Sequence, residues 1–170
     1  HWEQLRVYAN GWYQGPRSPA FFAEKAAEMV EKGYTALKFD PFGGAYQQIS
    51  KESEQVAIDI VRAVREAVGP DVDILIEAHD RFTVTNAIRI GRKLEEFEPM
   101  WMETPVRTYD LAAHLEVAKA IKVPVVLGEG FLHALGRLRA RFVHERAFEL
   151  AAFGAQLVAA AHGVLALLAQ

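Results

Sequence analysis

The chain has 170 residues, 51% hydrophobic and 24% charged, which excludes wholesale disorder and suits a soluble domain with a real core. A formal net charge of -3 with scattered Lys and Arg leaves no basic stripe for nucleic acid, and no apolar run reaches membrane-span length. Cysteine is absent, so disulfides and thiolate metal sites are excluded and any metal must sit on oxygen or imidazole.

Leu5 to Trp12 (LRVYANGW) is rich in strand formers and is punctuated by Gly11 and Gly15-Pro16, which predicts a first strand. Ser18-Pro19 supplies an N-cap and a proline at the first helical position, and Phe22, Ala26, Met29 and Val30 recur at helical spacing up to Gly33. Tyr34 to Phe39 predicts strand two and Pro41 to Gly44 a loop. Ser53 to Val68 predicts a helix with its apolar stripe at Val56, Ile60, Val61 and Val64, stopped by Gly69-Pro70. Val72 to Glu77 is strand three, Thr83 to Phe97 helix three, Met100 to Glu103 strand four, Leu111 to Ile121 helix four and Val123 to Gly128 strand five. Strict alternation of apolar strands with helices predicts an α/β fold, a parallel sheet covered by helices. Periodicity alone does not separate an open doubly wound sheet from a barrel, although no G-x-G-x-x-G follows any strand. A complete (β/α)8 barrel takes roughly 250 residues, so about five βα units make at most a partial TIM barrel.

The strand ends carry the chemistry. Glu77, Glu103 and Glu129 close strands three, four and five and are spaced by 26 residues each time. Equivalent positions on successive parallel strands share one rim, so the three carboxylates are expected to converge as a hard-cation site. Mg2+ is the expected occupant, with Mn2+ as the alternative. His79 lies two residues beyond Glu77, and a period of two predicts that both share one strand face, where the imidazole can act as a proton donor. Lys38 and Asp40 pair in the same way on strand two. The lysine is a candidate base or carboxylate binder, and Asp40 and Arg81 are candidate substrate-binding residues. His114, on a helix, is expected at the surface, and Trp2, Tyr8, Trp12 and Tyr13 are expected to serve packing.

These segments resemble the mandelate racemase and muconate lactonizing branch of the enolase superfamily. LKFDPFGG (Leu37 to Gly44), IEAHDRF (Ile76 to Phe82), MWMETPV (Met100 to Val106) and VPVVLGE (Val123 to Glu129) are similar to that family's second to fifth barrel strands. The resemblance covers about Leu5 to Glu129 and implies that Glu77, Glu103 and Glu129 bind magnesium. The E-A-H-x-R form of strand three is similar to galactonate and gluconate dehydratases, which implies that His79 is the general acid that helps expel the 3-hydroxyl. The implied reaction removes the proton alpha to a carboxylate through an enediolate and dehydrates an acid sugar. Racemase-type members carry K-x-K on strand two where this chain has Lys38-Phe39-Asp40, which favours a dehydratase.

Beyond residue 132 the character changes. Residues 133 to 170 are dominated by Ala and Leu and contain no Lys, Asp, Ile or Pro, predicting a helical tail rather than further βα units. Two domains are therefore expected, 1–132 and 133–170, and the tail is read as native, as a frameshift near Phe131 or as a designed cap. The family's capping domain and its Asp and His dyad on strands six and seven have no recognisable match, so the general base is expected to be missing. The alternatives to a dehydratase are a racemase or epimerase of the same superfamily and a non-catalytic oligomerising half-barrel. An acid sugar as ligand, a cytoplasmic setting, a homo-oligomer and no nucleic-acid or membrane partner complete the expectation.

Overall fold

The computed structural model describes residues 6–128, in which helices and strands alternate as expected. Helix α1 (Pro19–Glu31) starts where Ser18 Oγ accepts the Phe21 N–H, with proline at the first position, where its missing N–H costs nothing. Strand β1 (Ala36–Phe39) follows. Helix α2 (Lys51–Val68) is capped by Ser50 and carries Glu52 and Glu54 in its first turn and Arg65 in its last, a charge order matched to the helix dipole. It ends at Gly69, whose φ of 76° is open to a residue without Cβ. Strand β2 (Asp73–Glu77), helix α3 (Val84–Leu94, capped by Thr83), strand β3 (Trp101–Glu103), helix α4 (Leu111–Ala120, capped by Asp110) and strand β4 (Val125–Val126) complete the order.

The four strands are parallel in the order β1-β2-β3-β4, without the reversal that defines a doubly wound sheet. Ala9 extends the row on the far side of β1: it donates to Ala36 O at 2.9 Å and accepts from Lys38 N at 2.9 Å. The sequential order is that of a partial (β/α)8 barrel. Within the predicted strand Leu5 to Trp12, Ala9 supplies this isolated bridge and no extended strand forms among the described residues. Asn10 Oδ1 accepts the N–H of Gly11, local turn chemistry that competes with a ladder. Helix three is likewise shorter than expected, ending at Leu94 and passing into a 3-10 turn at Glu95–Phe97.

The two faces of the sheet differ by the period of two. Leu37, Phe39, Ile74, Ile76 and Met102 face the helices and join Phe22, Ala57, Val61, Val64, Ile90 and Val117 in one core. Glu54, buried on α2, is held by Arg89 and Lys93 of α3 at 2.6 Å each, so the second and third helices are tied by charge as well as packing. At the opposite end of β2 from Glu77, the Arg65 guanidinium donates to the carbonyls of Phe97, Gly69, Val72 and Glu98. None of the described helices is long and apolar enough to cross a membrane.

His114 corrects an expectation. It is buried, 5% exposed, because α4 turns this position inward beside Ala113 and Val117. Its Nδ1 lies 3.0 Å from the carbonyl oxygen of Asp110, which can only accept, so Nδ1 carries the proton, and buried Nε2 has no partner among the described residues. Burial lowers its pKa below 6.5, against the opposing pull of the Asp110 carbonyl and the charges of Asp80 and Asp110. An unfolded chain then takes up this proton more readily than the native one, so stability is full above about pH 6.5 and falls as acid drives protonation. Urea midpoints at pH 7.5 and 5.5 should show a smaller loss in His114→Phe than in the parent, and an unchanged pH slope would assign the effect elsewhere.

Candidate functional site

Glu77 and Glu103 are the last residues of β2 and β3 and are direct register partners. Their side chains project on the face away from the helices, together with Lys38, Leu75 and Trp101 of the same parity. Lys38 Nζ donates to Glu77 Oε2 at 3.0 Å and to Glu103 Oε2 at 3.1 Å, bridging the carboxylates. All three side chains are nearly buried, at 6%, 8% and 11% exposure, so these charges meet with little screening. Burial alone would lower the Lys38 pKa, but the hydrogen bonds and charges of Glu77 and Glu103 outweigh it and raise it, so the ammonium stays protonated. This is the reverse of what a lysine base needs. Trp101 Nε1 adds a 3.3 Å contact to Glu103 Oε2, and the Tyr8 ring lies 5.4 Å from Lys38 Nζ.

Beyond the strand ends the backbone turns sharply. His79 and Asp80 have φ of 50° and 62°, and β-branched Thr104 has 41°, a conformation seldom found outside glycine. The ladder holds them there: Ala78 N donates to Glu103 O, Asp80 N to Thr104 O and Thr104 N to Val126 O, at 2.9–3.0 Å. The strand therefore stops at Glu77, and the period of two does not carry on to His79 as expected. The His79 N–H instead donates to Glu77 Oε1 at 2.9 Å, and the ring swings toward Asp40, with Nδ1 2.8 Å from Oδ2. Nδ1 also lies 3.3 Å from Arg81 Nη2, which can only donate, but the shorter contact is to the carboxylate, which can only accept, so the proton is assigned to Nδ1 and Nε2 remains for exchange. The His79 side chain is 54% exposed.

Asp40 and Arg81 do not stand open to a substrate. Arg81 Nη2 is bonded to Asp40 Oδ2, while Nε donates to Ala78 O at 2.8 Å and Nη1 to Gly43 O at 2.5 Å. The guanidinium thus clamps the turn after β2 to the loop after β1, and Asp40 is spent on His79, Arg81 and the Phe42 N–H. Lys38 and Asp40 turn to different partners, Lys38 to the glutamates and Asp40 to His79. Tyr8 is 42% exposed beside Lys38, whereas Trp12 packs edge-on and Tyr13 stacks against Phe22, in the packing role expected of them.

A cleft of about 250 Å3 opens at the strand ends, lined by Glu77, His79, Glu103 and four residues that the sequence reading did not single out. These are Asp80, Thr104, Thr108 and Gly128. Asp80 accepts from Thr108 N and from Thr108 Oγ1, and Thr104 Oγ1 accepts from Gly128 N at 2.9 Å. A Cβ at Gly128 would sit 2.6 Å from Glu103 Oε1, so glycine leaves that carboxylate oxygen its space. The signal for Asp80 and Thr104 is adjacency to His79 and Glu103, but their left-handed backbone has no mark in the residue types.

The donor set is oxygen only, and one oxygen of each carboxylate already shares a single cationic centre, so Glu77 and Glu103 fit a hard divalent cation. Among the described residues no third acidic or imidazole group joins them into a three-ligand cluster. Glu129 lies outside the described residues, as do Trp2 and residues 133–170.

The sequence is 44% identical to D-gluconate dehydratase of Thermoproteus tenax over 132 residues, 78% of this chain and 27% of that protein. It is 40% identical to D-gluconate/D-galactonate dehydratase of Picrophilus torridus over 76% of this chain and 33% of that protein. The chain thus spans a third or less of the length of these curated relatives. Among solved structures, a mandelate racemase/muconate lactonizing enzyme from Sulfitobacter matches with a TM-score of 0.68 and 32% identity, over 74% of this chain and 34% of that one. A member of the enolase superfamily from Salmonella Typhimurium matches at 0.66 and 30% identity, over 74% and 37%. With the enolase C-terminal domain-like family model matching residues 22–149, and with a parallel barrel rim that gathers its carboxylates in register, this chain belongs to that family.

Proposed function

We propose that the chain forms part of a magnesium-dependent dehydratase acting on an acid sugar. The observation that carries this reading is the in-register pair Glu77 and Glu103 with the His79 imidazole on the turn beside it, in a chain whose relatives are named gluconate dehydratases. Glu77 and Glu103 would hold the cation, with Glu129 as the third ligand. The cation, when bound, supplies positive charge beside the substrate carboxylate as its alpha proton leaves. His79 serves as the general acid in its doubly protonated form, giving the proton on Nε2 to the departing hydroxyl while Nδ1–H stays on Asp40 and the neutral ring is left behind. Asp40 and Arg81 act through His79 and the loop they tie down, a change from the substrate-binding role expected of them. In the metal-free site Lys38 contributes positive charge between Glu77 and Glu103.

Calorimetric titration of the full chain with Mg2+ tests the cation site. Binding is expected, and Glu103→Gln, which removes a charged ligand, should weaken it by more than the roughly ten- to a hundredfold lost when only an outer-shell partner of a ligand is removed. Equal binding by parent and variant would place the cation elsewhere and sink the reading.

A further inference from the structure

We propose that Lys38 is a built-in counter-cation that holds Glu77 and Glu103 at ligand spacing and competes with a divalent cation for their Oε2 atoms; this rests on the metal-site reading above. Both carboxylates turn one oxygen to the same ammonium, at 3.0 and 3.1 Å, although they come from different strands. Each Glu77 oxygen has a donor, the His79 N–H on Oε1 and Lys38 on Oε2. Glu103 Oε2 takes both Lys38 and Trp101 Nε1, while its Oε1 faces Gly128. Two carboxylates left face to face in a nearly dry site would repel, and the ammonium removes that cost.

A magnesium ion needs oxygens at about 2.0–2.1 Å, inside the shell that Lys38 now occupies, and it would carry two positive charges to within a few ångströms of the ammonium. Lysine and metal therefore favour the same carboxylate geometry and disfavour one another. The Tyr8 ring gives the displaced ammonium somewhere to go, since it lies 5.4 Å from Nζ and is partly open to solvent. The arrangement keeps the rim folded in metal-free protein at the expense of metal affinity.

Lys38→Met keeps the aliphatic stem and removes the charge, so calorimetry with Mg2+ on the full chain reads the competition directly. The dissociation constant of the variant is expected to fall by on the order of tenfold, the size of an ordinary coupling between two binding events. The melting temperature of metal-free Lys38→Met should lie below that of the parent, and Mg2+ should raise it by more than it raises the parent's. Should the variant fold only when Mg2+ is present, the metal has replaced the ammonium and the proposal is supported. A variant that stays unfolded at saturating Mg2+ overturns it, because the cation then cannot take over the lysine's place. Equal affinities, both abolished by Glu103→Gln, would also overturn it while leaving the metal site standing. Absence of binding to parent and variant alike removes the metal site and the competition together.

Discussion

Phe39→Ala is expected to lower the unfolding free energy by about 3–5 kcal/mol, the range for truncating a fully buried aromatic ring. Phe39 is 0% exposed and closes β1 on its helix-facing side, where its ring centroid lies 5.4 Å from that of Trp12 and 6.1 Å from that of Phe22. Removing the ring strips contacts from two segments at once, the turn after Ala9 and the start of α1. It also loosens the strand that carries Lys38, so the rim should feel the loss as well as the core. Urea denaturation with a common slope measures the change, and Phe39→Leu should recover most of it by refilling the volume. A loss below about 1 kcal/mol for the alanine variant would mean that the site can collapse around the gap and that β1 is not anchored by this cluster.

Phe39 also shows why so much of the fold can be read without coordinates. It alternates with Lys38, and that alternation separates a helix-facing from a rim-facing side before any pairing partner is known. The caps at Ser18, Thr83 and Asp110 and the stop at Gly69 are equally local, since each satisfies or releases backbone groups within a few residues. The segment around Ala9 departs from its propensity because Asn10 and Gly11 make a turn from side-chain hydrogen bonding, a choice that strand formers nearby do not override. His114 was misplaced for a different reason. One polar residue on an amphipathic helix says nothing of whether its face is covered, and α4 turns this one inward.

The carboxylates were legible because their spacing repeats the βα unit, which places Glu77 and Glu103 opposite one another. Their partners were not. Lys38 reaches diagonally across two strands, from its register position beside Leu75 to oxygens two residues further along the neighbouring strands, and no periodicity encodes that reach. His79 and Asp80 leave the strand through left-handed backbone, so the rule that placed His79 on the face of Glu77 fails at the residue where the chemistry is proposed. Thr104 repeats the pattern after β3.

Arg81→Met should cost about 3–5 kcal/mol, the scale for removing one partner from a buried charge pair. The side chains of Arg81 and Asp40 are 10% and 11% exposed, and the guanidinium serves three acceptors from two loops: Ala78 O, Gly43 O and Asp40 Oδ2. Methionine fills much of the volume and satisfies none of them. Arg81→Lys keeps the charge but cannot span three acceptors with one ammonium, so it should recover only part of the loss. The consequence reaches His79: with Arg81 gone, the turn after β2 is no longer pinned to the loop after β1, and Asp40 loses the partner that fixes its orientation. Nitrogen-15 spectra of the imidazole should then show His79 leaving the single Nδ1–H tautomer for a mixture of both. A loss below about 1 kcal/mol, equal for lysine and methionine and with the tautomer unchanged, would mean that the guanidinium is a solvated rim group free to bind a substrate carboxylate, the role that the sequence alone had assigned to it.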